Sequence, residues 1–482
     1  MTCSGPGDLA RAVCVPHLLM MITARVDRFK LASRSHVRDR LLGDGVIAEA
    51  VAAHVVAGGE SEREAWTRVH GYIREIVPFF NAVAYFQVGY RVAGWLLRFF
   101  YKVSVDFEAP RDRPQLPSDA VVLYVMNHRS NADYVLVSYA LAGQVAISYA
   151  VGEWARAFPL EAVFKAFGSY FIRRRYREPL YHAVLERYVH LITREGVTQG
   201  IFVEGGLTRD GRLRAPKIGL LDYVLGIGRD PAYASRLHVV PVAVNYDRVL
   251  EDRSLLRELD VAEGGRRSSR LTQAWEVGRY LASNLARLLS RRLQRYGRAA
   301  VVVGAPIPLG PWFARQSDLF SIERPERLAR VQSLCDELLS TVGQLIPVTA
   351  VPLVCAAIQS FDSEFIPREA LLGRVEEMHA VLHELNARGL RSDRSSGEIF
   401  DRAWRMLRMR RVLAETAGGY LVLPRGRALV SYYANSIAHL LGPFVMSVQA
   451  RDALPLESTL RATVTHGRAV SPAGLTQVRR PG

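Results

Sequence analysis

The chain has 482 residues, of which 49% are hydrophobic and 23% are charged, a balance that excludes wholesale disorder, a collagen-like chain and a coiled-coil rod. Lysine and arginine outnumber aspartate and glutamate by 63 to 47, which gives a formal net charge of +16. A positive surplus of this size favours a polyanionic partner, such as anionic lipid, nucleic acid or a phosphorylated small molecule.

The N-terminal region, residues 1–105, is predicted to be helical. Ser61 and Glu64 have the spacing of a capping box, and apolar residues at helical spacing follow them. An apolar run at 12–24 is too short to span a bilayer and lacks a recognisable cleavage site, so we do not expect a secretory signal.

The segment 77–105 is rich in aromatic residues and carries a basic stripe. Arg91, Arg98 and Lys102 share one face of a helix drawn through it. This pattern is typical of a helix that lies among the headgroups of anionic lipid. A buried helix whose basic side chains reach out to solvent has the same pattern, and the segment alone does not separate the two.

A proline-rich connector follows, and short apolar segments then alternate with stretches of helical spacing. Predicted strands lie at 120–126, 168–174, 200–206, 237–246 and 299–307. This alternation predicts an α/β fold, a mixed sheet flanked by helices, over residues 106–320. We expect a second helical region at 321–465 and a flexible tail at 466–482.

The first chemical motif lies where the strand at 120–126 ends. His128 and Asp133 would not meet on one continuous helix, but they can meet if His128 lies in a turn and Asp133 begins the next helix. Asp133 would then orient the imidazole, and His128 would act as a general base. A surface histidine beside a helix-capping acid has the same spacing.

The second motif is a strand that runs directly into arginines at its end. Arg173 and Arg174 point to opposite faces if the strand continues, so one of them can bind a phosphate in a bidentate manner. A solvated basic strand end is an equally good interpretation of this motif alone.

The third motif, at 201–212, is the most specific. A buried strand delivers Glu204, and the glycines Gly205 and Gly206 allow close approach of a ligand to the backbone. The cationic residues Arg209, Arg212 and Lys217 follow. The segment is neither a Walker loop nor a dinucleotide-binding motif, and a strand–turn with a solvated basic loop is the alternative.

The remaining candidates are weaker. Pro241 lies within an apolar strand, which favours an edge, a bulge or a position that lines a site. His379 and His383 have a zinc-compatible spacing but no third ligand, and the four cysteines contain no CxxC pair, so we expect no metal site.

Taken in order, the four motifs resemble the glycerol-3-phosphate acyltransferase family of the large bacterial membrane-bound type. The matching blocks are His128-Arg129-Ser130 with Asp133, Gly168 with Phe171-Ile172-Arg173-Arg174, Phe202 to Arg212, and Val240-Pro241 with Tyr246. A looser match covers Ser431 to His439. Two positions depart from the family pattern: Thr208 stands where serine is usual, and Asp210 where a small uncharged residue is common.

The resemblance implies an acyltransferase-type sheet and transfer of a fatty acyl group to the sn-1 hydroxyl of glycerol 3-phosphate. It implies His128 as the base and Asp133 as its partner, with Pro241 on the acyl side. It implies a glycerol-phosphate subsite made of Arg173 or Arg174, Glu204, Gly205, Gly206, Thr208, Arg209 and Lys217. The co-substrate would be acyl-CoA or acyl-carrier protein, and because a thioester is already activated we expect no metal or redox cofactor.

Several alternatives stay open at the level of sequence. The acceptor can instead be dihydroxyacetone phosphate or a lysophospholipid, and Asp210 lowers the positive potential that would bind the phosphate. A nonenzymatic basic protein that binds membranes is the alternative of a different class. No helix-turn-helix, RNP block or zinc finger supports nucleic acid as a partner. We expect a peripheral protein on the cytoplasmic face of the cell membrane, in contact with anionic lipid.

Overall fold

A mixed sheet of eight strands forms the centre of the fold. Its strands are β1 (Lys102–Phe107), β2 (Val121–Met126), β3 (Ser148–Gly152), β4 (Tyr170–Ile172), β5 (Gln199–Phe202), β6 (Leu237–Tyr246), β7 (Arg298–Val303) and β8 (Ile307–Pro308). They are ordered β1-β7-β6-β2-β5-β3-β4, and β8 pairs with one end of β6. β6 is antiparallel to β7 and β8, and the other pairs are parallel.

The position of β2 in the sheet explains why its sequence does not alternate between apolar and polar residues. β2 pairs in parallel with β5 on one side and with β6 on the other, and all its residues are buried. Strands covered on both faces require continuous apolar, β-branched sequence. Because β2, β5 and β6 run in the same direction, their carboxyl ends lie at one edge of the sheet, where open α/β sheets bind ligands.

Helices surround this sheet. In the computed structural model, which describes residues 27–58, 60–108, 116–142, 145–156, 160–173, 176–262, 296–390 and 394–442, they have the following bounds. They are α1 (Arg34–Leu42), α2 (Gly45–Gly58), α3 (Glu62–Ile76), α4 (Tyr90–Phe100), α5 (Asp133–Leu141), α6 (Leu160–Ala166), α7 (Pro179–Arg194), α8 (Gly219–Leu225), α9 (Pro231–Ala234), α10 (Asp252–Ala262), α11 (Gly310–Arg315), α12 (Arg324–Gln344), α13 (Ala350–Gln359), α14 (Arg368–Glu384), α15 (Ser396–Met409) and α16 (Arg427–Asn435).

The predicted α/β class is confirmed, with three differences in detail. β1 was not predicted, and its residues 102–105 lie in the region predicted to be helical. β3 was not predicted, although its buried Ser-Tyr-Ala-Val-Gly sequence is short and apolar. The C-terminal region, predicted to be helical, also contains a three-stranded antiparallel sheet of β9 (Phe365–Pro367), β10 (Leu413–Thr416) and β11 (Gly419–Val422), in the order β10-β11-β9. These strands have three or four residues each, too few for a period of two to stand out in the sequence.

The described residues up to His439 belong to one compact unit, and a second unit begins at Leu440. The division into N-terminal, α/β and C-terminal regions therefore stays a prediction, and the predicted tail at 466–482 lies outside the described residues. Among the helices that are described, none alone has the length and apolarity to cross a bilayer. The pair α1 and α2 meets those criteria only jointly, with a bend of 58° between them.

The segment 77–105 forms a π-helix at Ala84–Gly89 that continues into α4. One face of α4 packs on α5, where the ring of Tyr90 stacks on Tyr139 at 5.1 Å between centroids. Gly94 permits this packing, because a Cβ at that position would press into the Tyr139 ring. The predicted helix is therefore present, but it ends at Phe100, and Lys102, predicted to share a face with Arg91 and Arg98, is the first residue of β1. The helix packs on α5, which Asp133 begins.

Asn127 fixes the point at which β2 ends. Its side-chain amide donates to the Val244 carbonyl at 3.0 Å and accepts from the Val244 N–H at 2.8 Å, so it continues the pairing with β6. Every atom involved is buried, which makes each of these hydrogen bonds costly to lose. The next residue, His128, is thereby held at a defined place beyond the sheet edge.

We predict that Asn127→Ala lowers the free energy of unfolding by about 2–4 kcal/mol, because it leaves a buried donor and a buried acceptor unpaired. Chemical denaturation measures this change. Asn81→Ala is the control, since the Asn81 side chain accepts one bond from the Ala84 N–H at an exposed position. Equal losses for the two variants would contradict the role of Asn127.

Candidate active site

His128 and Asp133 form a buried pair at the carboxyl edge of the sheet. His128 lies in the turn after β2, Asp133 is the first residue of α5, and Nδ1 of His128 is 2.9 Å from Oδ2 of Asp133. The imidazole is 1% exposed and the carboxylate 0%. The two side chains therefore meet by the turn-then-helix arrangement that their spacing requires.

The hydrogen bonds of Asp133 determine the tautomer of His128. Oδ2 also accepts from the backbone N–H groups of Arg129 at 2.7 Å and Ser130 at 3.0 Å, which can only donate. Oδ1 accepts from the hydroxyl of Tyr246 at 2.6 Å. The carboxylate is thus the acceptor throughout, so Nδ1 carries the proton and Nε2 holds a lone pair. Among the described residues, no hydrogen bond engages Nε2.

Aromatic rings surround the imidazole on its apolar side. The ring of Phe202, at the end of β5, stacks on His128 at 4.1 Å, and Tyr134 approaches it edge-on at 5.5 Å. Tyr134 in turn contacts the rings of Tyr149 and Phe164. These contacts restrict the imidazole to one plane, and they provide apolar surface beside the candidate base.

Glu204, assigned by the resemblance to the acceptor subsite, connects two segments of the site. Its carboxylate oxygens accept from the backbone N–H groups of His128 at 2.7 Å and Arg214 at 2.8 Å. Burial raises its pKa above the usual value, and the nearby Arg129 guanidinium partly offsets that effect. A carboxylate also repels a phosphate, so in this geometry Glu204 positions the backbone of the turn and of the loop.

The loop after β5 is organised by its own polar side chains. Thr208 is buried, donates from Oγ1 to Oδ1 of Asp210 at 3.0 Å and accepts from the Gly211 N–H at 3.1 Å. Asp210 also accepts from the Arg212 N–H at 3.0 Å. The two positions that depart from the family pattern are therefore hydrogen-bonded to each other. The carboxylate of Asp210 is turned into the loop.

The cations predicted to follow Glu204 lie at the rim of the site. Arg209 forms an ion pair with Glu258 of α10 at 3.1 Å, and its side chain remains 43% exposed. Lys217 is exposed, and its aliphatic chain packs over Gly205, whose φ of +65° favours glycine. Gly206 is buried beside it. Both cations are thus available to an anionic ligand.

Arg173 is held by the N-terminal region. Its Nε and one Nη donate to the Glu75 carboxylate at 2.8 and 2.6 Å. The rings of Tyr72, Tyr176 and Tyr181 surround the guanidinium, with the nearest centroid at 4.7 Å. Of the two predicted arginines, Arg173 therefore uses one edge of its guanidinium to bind the Glu75 carboxylate. Arg174 lies outside the described residues.

Pro241 is buried within β6, in the middle of the sheet. It lies opposite Val125 of β2, and its carbonyl accepts from the Gly304 N–H at 2.8 Å, just beyond the last residue of β7. On the side of β6 that faces away from β2, β8 pairs with residues 238–239 and β7 pairs with residues 242–246. Pro241 lies between these two pairings, so the N–H that it lacks interrupts neither of them. The predicted acyl-side role of Pro241 stays a prediction.

Sequence reasoning missed Glu251. Its carboxylate accepts from the Ser130 hydroxyl at 2.7 Å and from the Asn131 N–H at 3.2 Å, so it supports the turn between His128 and Asp133. Burial raises the pKa of Glu251. Its signal in the sequence is weak, because an acid shortly after an apolar strand is common. Tyr246 was noted only as the end of the fourth block, with no role.

No cluster of metal-binding side chains is found within the ranges that the structure describes. His379 and His383 both lie on α14, and neither belongs to a group of three candidate ligands there.

We predict that Tyr246→Phe lowers the thioester-consuming rate implied by the resemblance by about tenfold, because Asp133 loses a charge-assisted hydrogen bond of about 1.5–3 kcal/mol. Stopped assays measure the rate.

Tyr101→Phe is the matched control for Tyr246→Phe. The two rings contact each other at 5.4 Å, and Tyr101 donates its hydroxyl to the Arg248 carbonyl, not to Asp133. It should lose stability with little change in the rate. Equal rates for wild type and Tyr246→Phe would contradict the proposed effect on the dyad.

Comparison with known proteins gives two family matches. Residues 108–245 match the family described as Acyltransferase, and residues 282–446 match the one described as Glycerol-3-phosphate acyltransferase C-terminal region. A glycerol-3-phosphate acyltransferase from Aeromonas hydrophila subsp. hydrophila is 27% identical over 85% of this chain. The chain spans about half the length of that curated relative, because the match covers 50% of it.

A solved structure was also found, that of the 1-acyl-sn-glycerophosphate (LPA) acyltransferase PlsC from Thermotoga maritima. It covers 67% of this chain and 96% of its own, with 16% identity and a TM-score of 0.28. At this score the likeness carries no argument about the site. The two family matches and the bacterial relative confirm that the chain resembles the glycerol-3-phosphate acyltransferase family, as its four sequence blocks predict.

Proposed function

We propose that this protein transfers a fatty acyl group from acyl-CoA or acyl-carrier protein to the sn-1 hydroxyl of glycerol 3-phosphate, the first step of phospholipid synthesis. The observation that carries the proposal is the buried His128–Asp133 pair, with Nδ1 fixed as the donor and Nε2 left with a lone pair. The two family matches and the bacterial relative support the same reaction.

The reaction needs a base, an oriented hydroxyl and an activated acyl donor. His128 Nε2 takes the proton of the acceptor hydroxyl, and the hydroxyl oxygen attacks the thioester carbonyl. Collapse of the tetrahedral intermediate breaks the carbon–sulfur bond, and the imidazolium returns the proton to the leaving thiolate. Asp133 stabilises the imidazolium without itself taking the proton. The products are 1-acylglycerol 3-phosphate and the free thiol.

The acceptor phosphate would be bound by the cations at the rim. Arg209 and Lys217 are exposed on the loop and carry two positive charges. Arg173 uses Nε and Nη2 for Glu75, which leaves both N–H groups of Nη1 as donors. This set favours a small dianion that reaches the dyad from one side, while the aromatic rings around His128 favour the acyl chain on the other.

Purified protein given labelled glycerol 3-phosphate with acyl-CoA, and separately with acyl-carrier protein, tests the reaction. We predict that His128→Ala lowers acyl transfer by about 10²–10⁴-fold, because it removes the general base. The control is His70→Ala, an exposed histidine of α3. Faster acylation of dihydroxyacetone phosphate or a lysophospholipid would reassign the acceptor. Absence of thiol release with every acceptor would instead favour the nonenzymatic membrane-binding protein.

We also propose that α4 places the protein on the cytoplasmic face of the membrane as a peripheral protein that binds anionic lipid. The exposed face of α4 and the preceding π-helix carries large apolar side chains, with Trp95 59% exposed and stacked on Phe99. Other exposed members are Val83, Val88, Val92 and Leu96. The exposed cations Arg91 and Arg98 border this face, as expected for a helix among anionic headgroups, and the exposed Lys102 follows two residues after the helix, at the start of β1.

The position of this face fits an amphiphilic product. α4 carries the exposed apolar residues, and it packs on α5, the helix that begins with Asp133 of the dyad. An acyl chain leaving the site would have a short way to the lipid.

We predict that Trp95→Glu weakens binding to vesicles of phosphatidylglycerol and phosphatidylcholine at least about tenfold, because it removes aromatic area and adds a negative charge. Leu385→Glu is the control, since Leu385 is 51% exposed just after α14, away from this face and from the α1–α2 pair in sequence. Cosedimentation measures the binding. Equal binding by both variants and wild type would rule out α4 as the lipid contact.

A further inference from the structure

The end of the last described helix, α16, meets the loop that follows Glu204. The Asn435 amide donates from Nδ2 to the Asp210 carbonyl at 2.9 Å. Gly211 sits directly on the last turn of α16, because a Cβ there would overlap the carbonyl of Tyr432. Its φ of +87° independently requires glycine. The loop and the helix end therefore fit together through backbone contacts.

A buried guanidinium ties the same helix end to the catalytic turn. Arg129, the residue after His128, is 1% exposed. One of its Nη atoms donates to the Gly211 carbonyl, and the other donates to the Ser436 carbonyl at 3.1 Å. Arg129 thus links three segments: the turn that carries the base, the loop that carries Arg209, and the end of α16.

Further bonds hold the helix end itself in place. The Ser436 hydroxyl donates to the Tyr433 carbonyl at 2.7 Å and lies 3.3 Å from the amide nitrogen of Asn245, which follows the central part of β6. Asn245 also donates to the Pro347 carbonyl at 3.0 Å. The helix end is therefore anchored on the sheet and is not free to follow the loop.

We propose that Asn435, together with Arg129, positions the acceptor-binding loop relative to His128. The C-terminal helix would thereby set the distance between the bound phosphate and the base. This inference rests on the proposed function for its substrate, because Arg209 and Lys217 are taken to bind the phosphate. Asn435 is a positioning residue, since it contacts the loop backbone and not the reacting atoms.

The geometry predicts an effect on the acceptor and not on the acyl donor. The hydrogen bond from Asn435 ends on the backbone carbonyl of Asp210, next to Arg209. Its loss frees the loop while the dyad keeps its bonds to Tyr246 and Glu204. A displaced Arg209 then costs binding of the phosphate, whereas the aromatic surface beside His128 is unchanged.

The test compares Asn435→Ala with Ser431→Ala. Ser431 lies on the same helix and is half-buried, and its side chain forms no hydrogen bond among the described residues. We expect Asn435→Ala to raise KM for glycerol 3-phosphate about two- to tenfold, the value of one hydrogen bond, with KM for acyl-CoA unchanged. Ser431→Ala should change neither constant.

A second measurement does not depend on activity. Hydrogen exchange of residues 205–214 should become faster in Asn435→Ala than in wild type or Ser431→Ala, and trypsin should cut sooner after Arg209 and Arg212. Arg129→Lys, which keeps the charge but loses the planar fork, should show the same local effect.

The two measurements separate the possible failures. If the wild-type protein does not acylate glycerol 3-phosphate, the proposed function fails, and faster exchange confined to the loop still upholds the positioning role of Asn435. If acylation is normal and neither KM nor loop exchange changes in Asn435→Ala, the inference is overturned. Exchange that rises over the whole chain, or an equal rise in both KM values, also overturns it.

Discussion

The Asp133 carboxylate is the group on which the geometry of the site depends. It is wholly buried and accepts four hydrogen bonds: from the imidazole of His128, from two backbone N–H groups of the intervening turn, and from the Tyr246 hydroxyl. Because the carboxylate lies at the start of α5, the helix dipole also favours its charge. One anion thereby closes the turn, selects the histidine tautomer and joins the turn to β6. Without it the imidazole would have neither a fixed orientation nor a counter-charge.

The charges of the site are arranged in two layers. Inside, the carboxylates of Asp133, Glu204 and Glu251 support backbone N–H groups, and the Arg129 guanidinium lies near enough to Glu204 to offset part of the effect of its burial. Each buried acid thus has donors, which is the condition for keeping charge away from water. The exposed cations Arg209 and Lys217 lie on the loop after β5, where the proposed function would have the phosphorylated acceptor bind. The inner acids serve to hold the backbone.

The sequence predicts what is local in this site. His128 and Asp133 belong to one turn, so five residues of spacing were enough to relate them. The partners of Arg173, Glu204 and Asn435 could not be found that way, because they lie 98, 76 and 225 residues away along the chain. Only the strand order brings such segments to one edge. Apolar runs identified β2, β4, β5, β6 and β7, whereas the buried β3 was missed and the short strands of the C-terminal region have too little periodicity to be recognised.

The link between Arg129 and Ser436 spans 307 residues, and this separation bears on how the protein is made. Translation and folding proceed from the N-terminus, so a growing chain can complete the central sheet long before α16 emerges. During that interval the hydrogen bonds from Asn435 to the loop and from Arg129 to the Ser436 carbonyl are missing. On the positioning role proposed for α16, a chain cut before residue 427 would carry the His128–Asp133 pair with a loop that has lost these tethers.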